Sequence, residues 1–429
     1  VTPGRDLGSI VRKLSLKALS SALDRGSRLL LTVLAAPVLG EASFGLFVFA
    51  STVTAFVALA ADLGIGVWST RALARSNSDK GSVVRASVLF RGATAVPYAA
   101  VVAVLALRLS GAARLAMALL GAFALFNAFA DHFCAVFRGT EEFGREARLN
   151  GIRACLTLVF GAVALTVGRS LASVASAMAL SSGAAALYGM VEVCRIHGVS
   201  LSPRSWPTAF GPLGVRGILR ESLPIGVAGL VSLVYFKVDT VFVRAFAGDA
   251  ELGAYGAAYK LFEGAMLVPS VVLAVLFPRL VRVCDSPRER GRLERAIAGS
   301  LLGLGALLGT LAALARTPLV KLLFGPDFQR SEDSLWVLAC GIPVVFLNYG
   351  LTHFLIARHR ERVNSALAFL MLVAVVALDL ALIPSHAGPG AAAATVLSEL
   401  FLTAGCLLAL ALSGQERAPE AARTGRATE

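Results

Sequence analysis

The sequence predicts an all-α membrane protein with twelve transmembrane helices in two six-helix lobes related by a parallel pseudo-two-fold repeat. Three observations carry this expectation. Of the 429 residues 57% are hydrophobic and only 16% charged, the mean hydropathy is +0.75, and apolar runs of about 20 residues, enough to cross a bilayer, recur from end to end. The net charge of +13 is gathered into alternate connections between those runs, which is the positive-inside pattern. A polar linker punctuated by Pro203, Pro207 and Pro212 divides the runs into two equal sets. The cations form no single basic face with interleaved aromatic residues, which excludes nucleic acid as a partner.

Residues 1–14 place Leu7, Ile10, Val11 and Leu14 at helical spacing among Arg5, Arg12 and Lys13, the pattern of an interfacial helix. The apolar run after Lys17 is too long for a cleaved signal peptide and reads as a first span. Spans are expected at 15–39, 43–68, 84–109, 112–137, 148–168 and 171–194, which closes an N-terminal lobe over 1–194. A cytoplasmic linker over 195–215 follows. The second lobe, 216–412, carries spans at 219–246, 251–282, 296–315, 331–357, 363–384 and 388–412. Residues 413–429 lose their large apolar side chains and are expected to be disordered and cytoplasmic. Cations such as Arg71, Arg138, Arg195, Arg279 and Arg358 follow the even-numbered spans, while the opposite connections are short and poor in cations apart from 316–333. Both termini are therefore expected in the cytoplasm.

The two halves share a motif. Gly40-Glu41-Ala42-Ser43-Phe44-Gly45-Leu46-Phe47 aligns with Gly248-Asp249-Ala250-Glu251-Leu252-Gly253-Ala254-Tyr255, and the same offset carries Arg71 onto Arg279. Each half has six spans entering from the same side, so the repeat is parallel, about an axis along the membrane normal.

Several charges lie where a membrane helix should have none. Lys237 and Asp239 precede the tip at 247–251, and Lys260 and Glu263 follow it. On antiparallel helices the two lysines fall at nearly the same depth, about 17 Å below the tip, close to the bilayer centre. The repeat places Arg28 near the counterpart of Lys237, with Arg25 one turn away on the same face. Such charges cost roughly 2.5 to 3.5 kcal/mol each unless paired or hydrated. They predict a cationic chamber between the halves, suited to a phosphate-bearing substrate because arginine offers a forked donor array. Local pairing of Asp24 with Arg28 and of Lys260 with Glu263 is the plainer alternative.

Glu399, beside Thr395, Ser398 and Thr403, has no cation on its own helix. It is either a protonatable carboxylate suited to ion coupling or the partner of a cation elsewhere. Asp131, His132 and His353 are expected near interfaces, and Asp62 and Asp379 near span ends, where charge is cheap. Pro97, Pro224, Pro269 and Pro343 fall inside spans and permit bends. The pairs Gly299/Gly303 and Gly305/Gly309 permit close helix packing. The six cysteines show no CxxC and no zinc spacing, and no nucleotide loop or HExxH motif occurs, so no metal, cofactor or catalytic centre is expected.

Gly40-Glu41-Ala42-Ser43-Phe44-Gly45, Asp62-Leu63-Gly64, Asp239 with Gly253-Ala254-Tyr255, Phe277-Pro278-Arg279-Leu280 and Leu323-Phe324-Gly325-Pro326-Asp327-Phe328 occur in order, then Leu382-Ile383-Pro384 ahead of Gly388-Pro389-Gly390-Ala391-Ala392. Together these resemble the O-antigen type polysaccharide flippases of the multidrug/oligosaccharidyl-lipid/polysaccharide (MOP) exporter superfamily, over nearly the whole chain. The resemblance implies a flippase of the bacterial inner membrane that moves an undecaprenyl-diphosphate-linked oligosaccharide by alternating access, often coupled to an H⁺ or Na⁺ gradient and alongside polysaccharide polymerase machinery. It carries over Arg25, Arg28, Lys237 and Asp239 as cavity positions; the placement of the charges themselves adds Lys260 and Glu263 to the expected substrate cavity and Glu399 to ion coupling. A drug/cation antiporter of the same superfamily and a membrane enzyme of glycan assembly are the alternatives.

Overall fold

The computed structural model describes residues 3–75, 80–198, 214–282 and 286–415. The expected linker lies mostly, and the expected disordered tail almost wholly, outside the described residues, as do the side chains of the expected interfacial helix. The backbone of that helix, from Pro3 onward, runs without interruption into the first span.

Among the described residues the chain is helical throughout: α1 (Pro3–Asp62), α2 (Ile65–Arg75), α3 (Lys80–Leu107), α4 (Gly111–Gly139), α5 (Phe143–Val163), α6 (Leu171–His197), α7 (Gly214–Ala265), α8 (Leu267–Arg282), α9 (Pro287–Leu314), α10 (Arg316–Phe324), α11 (Ser331–Ala357) and α12 (Glu361–Gln415). Nine segments of the described residues are long and apolar enough to cross a membrane. Three of these, of 57, 64 and 52 residues, exceed by far the roughly 20 residues of a single crossing. Each of the three turns at one residue with non-helical backbone: Gly40 (φ 73, ψ 165), Gly248 (φ 88, ψ 179) and Ala387 (φ 49, ψ −127). The segments thus supply twelve crossings.

Cross-tip contacts establish the hairpins of α7 and α12. Tyr255 bonds Asp239 and Tyr259 bonds the carbonyl of Phe236, pairs spaced evenly about Gly248. Leu382 packs against Gly390 and Leu367 against Gly405, evenly about the turn beside Ala387.

The repeat expected from the sequence is visible in the backbone. Gly40 and Gly248 hold nearly the same left-handed conformation, one that a residue without Cβ adopts cheaply. The α4–α5 and α11–α12 turns are also built alike. Glu142 N donates to Phe137 O at 2.7 Å and Arg360 N to Leu355 O at 2.9 Å, around left-handed Glu141 (φ 61) and His359 (φ 58). This six-to-one bond with a left-handed residue inside it is how a helix end satisfies its last carbonyls.

The chain forms two compact units, Val1–Leu233 and Val234–Glu429. In the first, Leu73, Val88, Phe133, Phe137 and Leu149 form the core shared by α2 to α6. The start of α7 belongs to this unit. Gly226 approaches the Leu63–Gly64 break between α1 and α2 so closely that a Cβ on Gly64 would lie 2.3 Å from Ser222 O, and Trp68 Nε1 donates to Glu221 Oε2 at 2.9 Å beside that crossing. In the second unit, Tyr235, Met371 and Val375 join α7 to α12.

Two expectations about spans change. The eighth span is not one helix: it breaks at Met266, because Pro269 lacks an amide and its ring collides with the carbonyl four residues back, at Ala265. Pro269 therefore sits in the first turn of α8, while Pro97, Pro224 and Pro343 remain inside helices. Of the small-residue pairs, only Gly305 and Gly309 lie at a close crossing, where added Cβ atoms would stand 2.8 Å from Pro343 Cα and 2.6 Å from Ala339 O. Gly299 and Gly303 meet nothing.

Candidate functional site

Each unit carries an ionic cluster inside its apolar body. In the first, Asp24 and Arg28 stand one turn apart on α1, and Arg28 Nη2 donates to Asp24 Oδ2 at 2.7 Å. Its Nη1 donates to Asn127 Oδ1 of α4, also at 2.7 Å. The centre of the cluster is Arg153 of α5, buried with a side chain only 3% exposed. Its Nε and Nη2 clamp Asp24 Oδ1 and Oδ2 at 2.6 and 2.7 Å. Nη1 reaches Asp131 Oδ1 at 2.8 Å and Asn127 Oδ1 at 3.2 Å, and Nη2 also reaches Asn150 Oδ1 at 3.1 Å. Arg25 is exposed and has no ion pair among the described residues. Counted over Asp24, Asp131, Arg28 and Arg153 the formal charge is zero, so the cluster balances its own burial cost.

The second unit gathers Lys237, Lys260 and Glu263. The glutamate bridges both lysines, Oε2 to Lys260 at 2.7 Å and Oε1 to Lys237 at 3.4 Å, leaving one positive charge in excess. Lys237 Nζ also lies 4.4 Å from the Tyr259 ring centre, where the ring's negative face attracts it. The lysine side chains are about a fifth exposed and that of Glu263 is 43% exposed, so the triad is accessible. Asp239 is not in it. That carboxylate, 4% exposed, accepts from Tyr255 Oη and from the amide of Thr240.

Two further carboxylates are buried in this unit. Glu399 accepts from Tyr235 Oη and from Asn348 Nδ2 at 2.6 Å, so the partners of this carboxylate are neutral donors and not a cation. Asp379 is fully buried, and both oxygens lack a hydrogen-bond partner among the described residues; it lies within electrostatic reach of Asp239. Its placement departs from the expectation of a cheap charge near a span end. A buried, unpartnered carboxylate is costly enough to need an occupant or a proton.

Elsewhere, Asp62 pairs with Arg91 at 3.0 Å, His353 Nδ1 lies 2.7 Å from Tyr349 O, and His132 is 2% exposed with both ring nitrogens unpartnered among the described residues. No cluster of three metal-ligating side chains occurs among the described residues.

Sequence reasoning paired Asp24 with Arg28 and Lys260 with Glu263. It missed Arg153 and Asn127, which come from other helices, and set aside Asp131 and Asp379. A usable signal for Arg153 was a lone arginine five residues into an apolar run whose start was already accounted for by Arg148.

The family described as "polysaccharide biosynthesis protein" matches residues 10–284. Solved structures with the same fold include an inward-facing multidrug resistance MATE transporter of the MOP superfamily, 16% identical over 92% of this chain and 96% of that one, with a TM-score of 0.76. The lipid II flippase MurJ in an inward closed conformation is 14% identical over 92% of this chain and 87% of its own, at 0.71. The Vibrio cholerae MATE transporter VcmN in its bent form is 14% identical over 94% and 97%, at 0.62. These relatives are transporters and a flippase, not enzymes. No protein of curated function matches the chain.

Proposed function

This chain belongs to the polysaccharide biosynthesis protein family, and we propose that within it the protein is a flippase. It moves an undecaprenyl-diphosphate-linked oligosaccharide from the inner to the outer leaflet of a bacterial inner membrane by alternating access, with both termini cytoplasmic. The observation that carries this reading is the pair of partly exposed cations, Arg28 and Lys237, each about 17 Å from the tip of a repeat-equivalent hairpin. At that depth a cation is expensive unless a ligand or water compensates it. Arg28 and Arg25 are the anion-binding cations of the first unit, and Lys237 and Lys260 those of the second, where Glu263 holds the two lysines in place. Asp239, bonded to Tyr255 and Thr240, acts on the lysines only through its charge.

The coupling ion, H⁺ or Na⁺, is better served by Asp379 than by Glu399. Glu399 already accepts two hydrogen bonds, whereas Asp379 has two free oxygens with Asp239 nearby. A drug antiporter would place carboxylates where Arg28 and Lys237 stand. The product then passes to polysaccharide polymerase machinery on the outer face.

The test is translocation of a lipid-diphosphate oligosaccharide in proteoliposomes. Arg28→Ala combined with Lys237→Ala abolishes it while leaving insertion intact. Full activity of that double variant, or efflux of cationic dyes by the parent, overturns the reading.

A further inference from the structure

Arg28 and Arg153 share acceptors but not circumstances. A guanidinium has five N–H donors. Arg153 spends all five, one on each of Asp24 Oδ1, Asp24 Oδ2, Asp131, Asn127 and Asn150. It is buried on every side. Arg28 spends two, on Asp24 Oδ2 and Asn127 Oδ1, and its side chain is 23% exposed. Both acceptors of Arg28 are also held by Arg153.

We infer that Arg153 is the positioning residue for anion recognition by Arg28: it matches both oxygens of Asp24 and fixes Asp24 and Asn127, so that of the two carboxylates only the solvent-exposed Asp131 is left to balance Arg28. This rests on the functional reading above. The reasoning is electrostatic. Asp24 and Arg28 lie at i, i+4 on one helix, a spacing at which a carboxylate and a guanidinium pair readily. Alone, that pair would be neutral and a poor ligand for a diphosphate. With Arg153 forked onto both Asp24 oxygens, the negative charge is already matched from the buried side. The bond from Arg28 then sets direction, and three of its donors remain for an anion. Arginine is required because only a planar fork satisfies both carboxylate oxygens at once; a lysine ammonium cannot.

The test measures binding of undecaprenyl diphosphate, with undecaprenol as the uncharged control, to the full chain in nanodiscs. Arg153→Met weakens diphosphate binding roughly tenfold or more, as expected for an arginine whose charge is cancelled, and leaves undecaprenol binding unchanged. Adding Asp24→Asn to Arg153→Met removes the uncompensated carboxylate and restores most of the affinity. This rescue is the readout that a merely structural role would not move. Arg153→Lys keeps the charge but loses the fork and falls between parent and Arg153→Met. Parental affinity in a folded Arg153→Met overturns the inference alone, as does a folded double variant no better than the single. A parent that does not distinguish undecaprenyl diphosphate from undecaprenol overturns the functional reading, and this inference with it.

Discussion

The two ionic clusters solve the same problem in opposite ways. In the first unit, two arginines and two aspartates form a balanced set around the buried Arg153–Asp24 pair, with Asp131 at its exposed edge and every donor of Arg153 used on rigid, planar partners. In the second, two flexible lysines share one accessible glutamate, one lysine leans on a tyrosine ring, and the aspartates and Glu399 are left to neutral donors or to none. Arginine forks fix geometry, whereas lysine ammonium groups are point charges on flexible stems. The difference teaches where rigidity and adaptability reside: the first cluster is a fixed reference and the second can rearrange around what it binds.

If so, the first cluster should be far more sensitive to losing one partner. Asp24→Asn removes the only buried carboxylate of the cluster, leaving Arg153 and Arg28 to share the exposed Asp131, and costs about 3–5 kcal/mol of stability, the usual penalty for breaking a buried ion pair; unfolding in a denaturing detergent reads it. A loss below 1 kcal/mol would make the two clusters alike and break the comparison.

Asp379→Asn should go the other way. Its buried carboxylate has no donor, so a neutral amide is expected to raise stability by about 1–3 kcal/mol and to remove any dependence of transport on an H⁺ or Na⁺ gradient. Glu399→Gln, which loses an acceptor for Tyr235 or Asn348, should instead lower stability. Opposite signs for these two variants in the same assay sharpen the contrast between a filled and an unfilled carboxylate.

Smaller effects follow at the lysines. Tyr259→Leu removes the ring under Lys237 and should weaken diphosphate binding by about 0.5–2 kcal/mol, the range of a cation–π contact. Glu263→Gln, at an exposed ion pair, should change stability by less than about 1 kcal/mol while making binding more salt-sensitive. A loss of several kcal/mol there would show the second cluster to be as fixed as the first.

Much of the fold was legible because it is written in one-dimensional signals. Apolar run length gives the crossings, cation placement their alternation, and the shared Gly40 and Gly248 motifs the repeat. The break before α8 follows from Pro269 acting on Ala265, a local steric effect that run length alone cannot register. The candidate site was legible only where partners share a helix or a tip, as with Asp24 and Arg28, or Lys260 and Glu263. Arg153 meets Asp24 across 129 positions of sequence and Glu399 meets Tyr235 across 164, so neither pairing leaves a periodicity to read. Asp379 looked cheap because depth was judged along its own helix. Its burial comes from neighbours packed around it.

The three hairpin tips differ in what surrounds them, and the difference bears on how the protein can be handled in the laboratory. At Gly40 and Gly248 an added Cβ would meet nothing within 4 Å. At the α12 tip, Gly388 donates its amide to Glu251 Oε1 at 3.1 Å, and a Cβ there would stand 2.8 Å from that oxygen. An epitope or a spin-labelled insert therefore belongs at the first two tips, where the chain has slack around it. The same insert beside Ala387 would pry Glu251 from its amide and report on a damaged molecule.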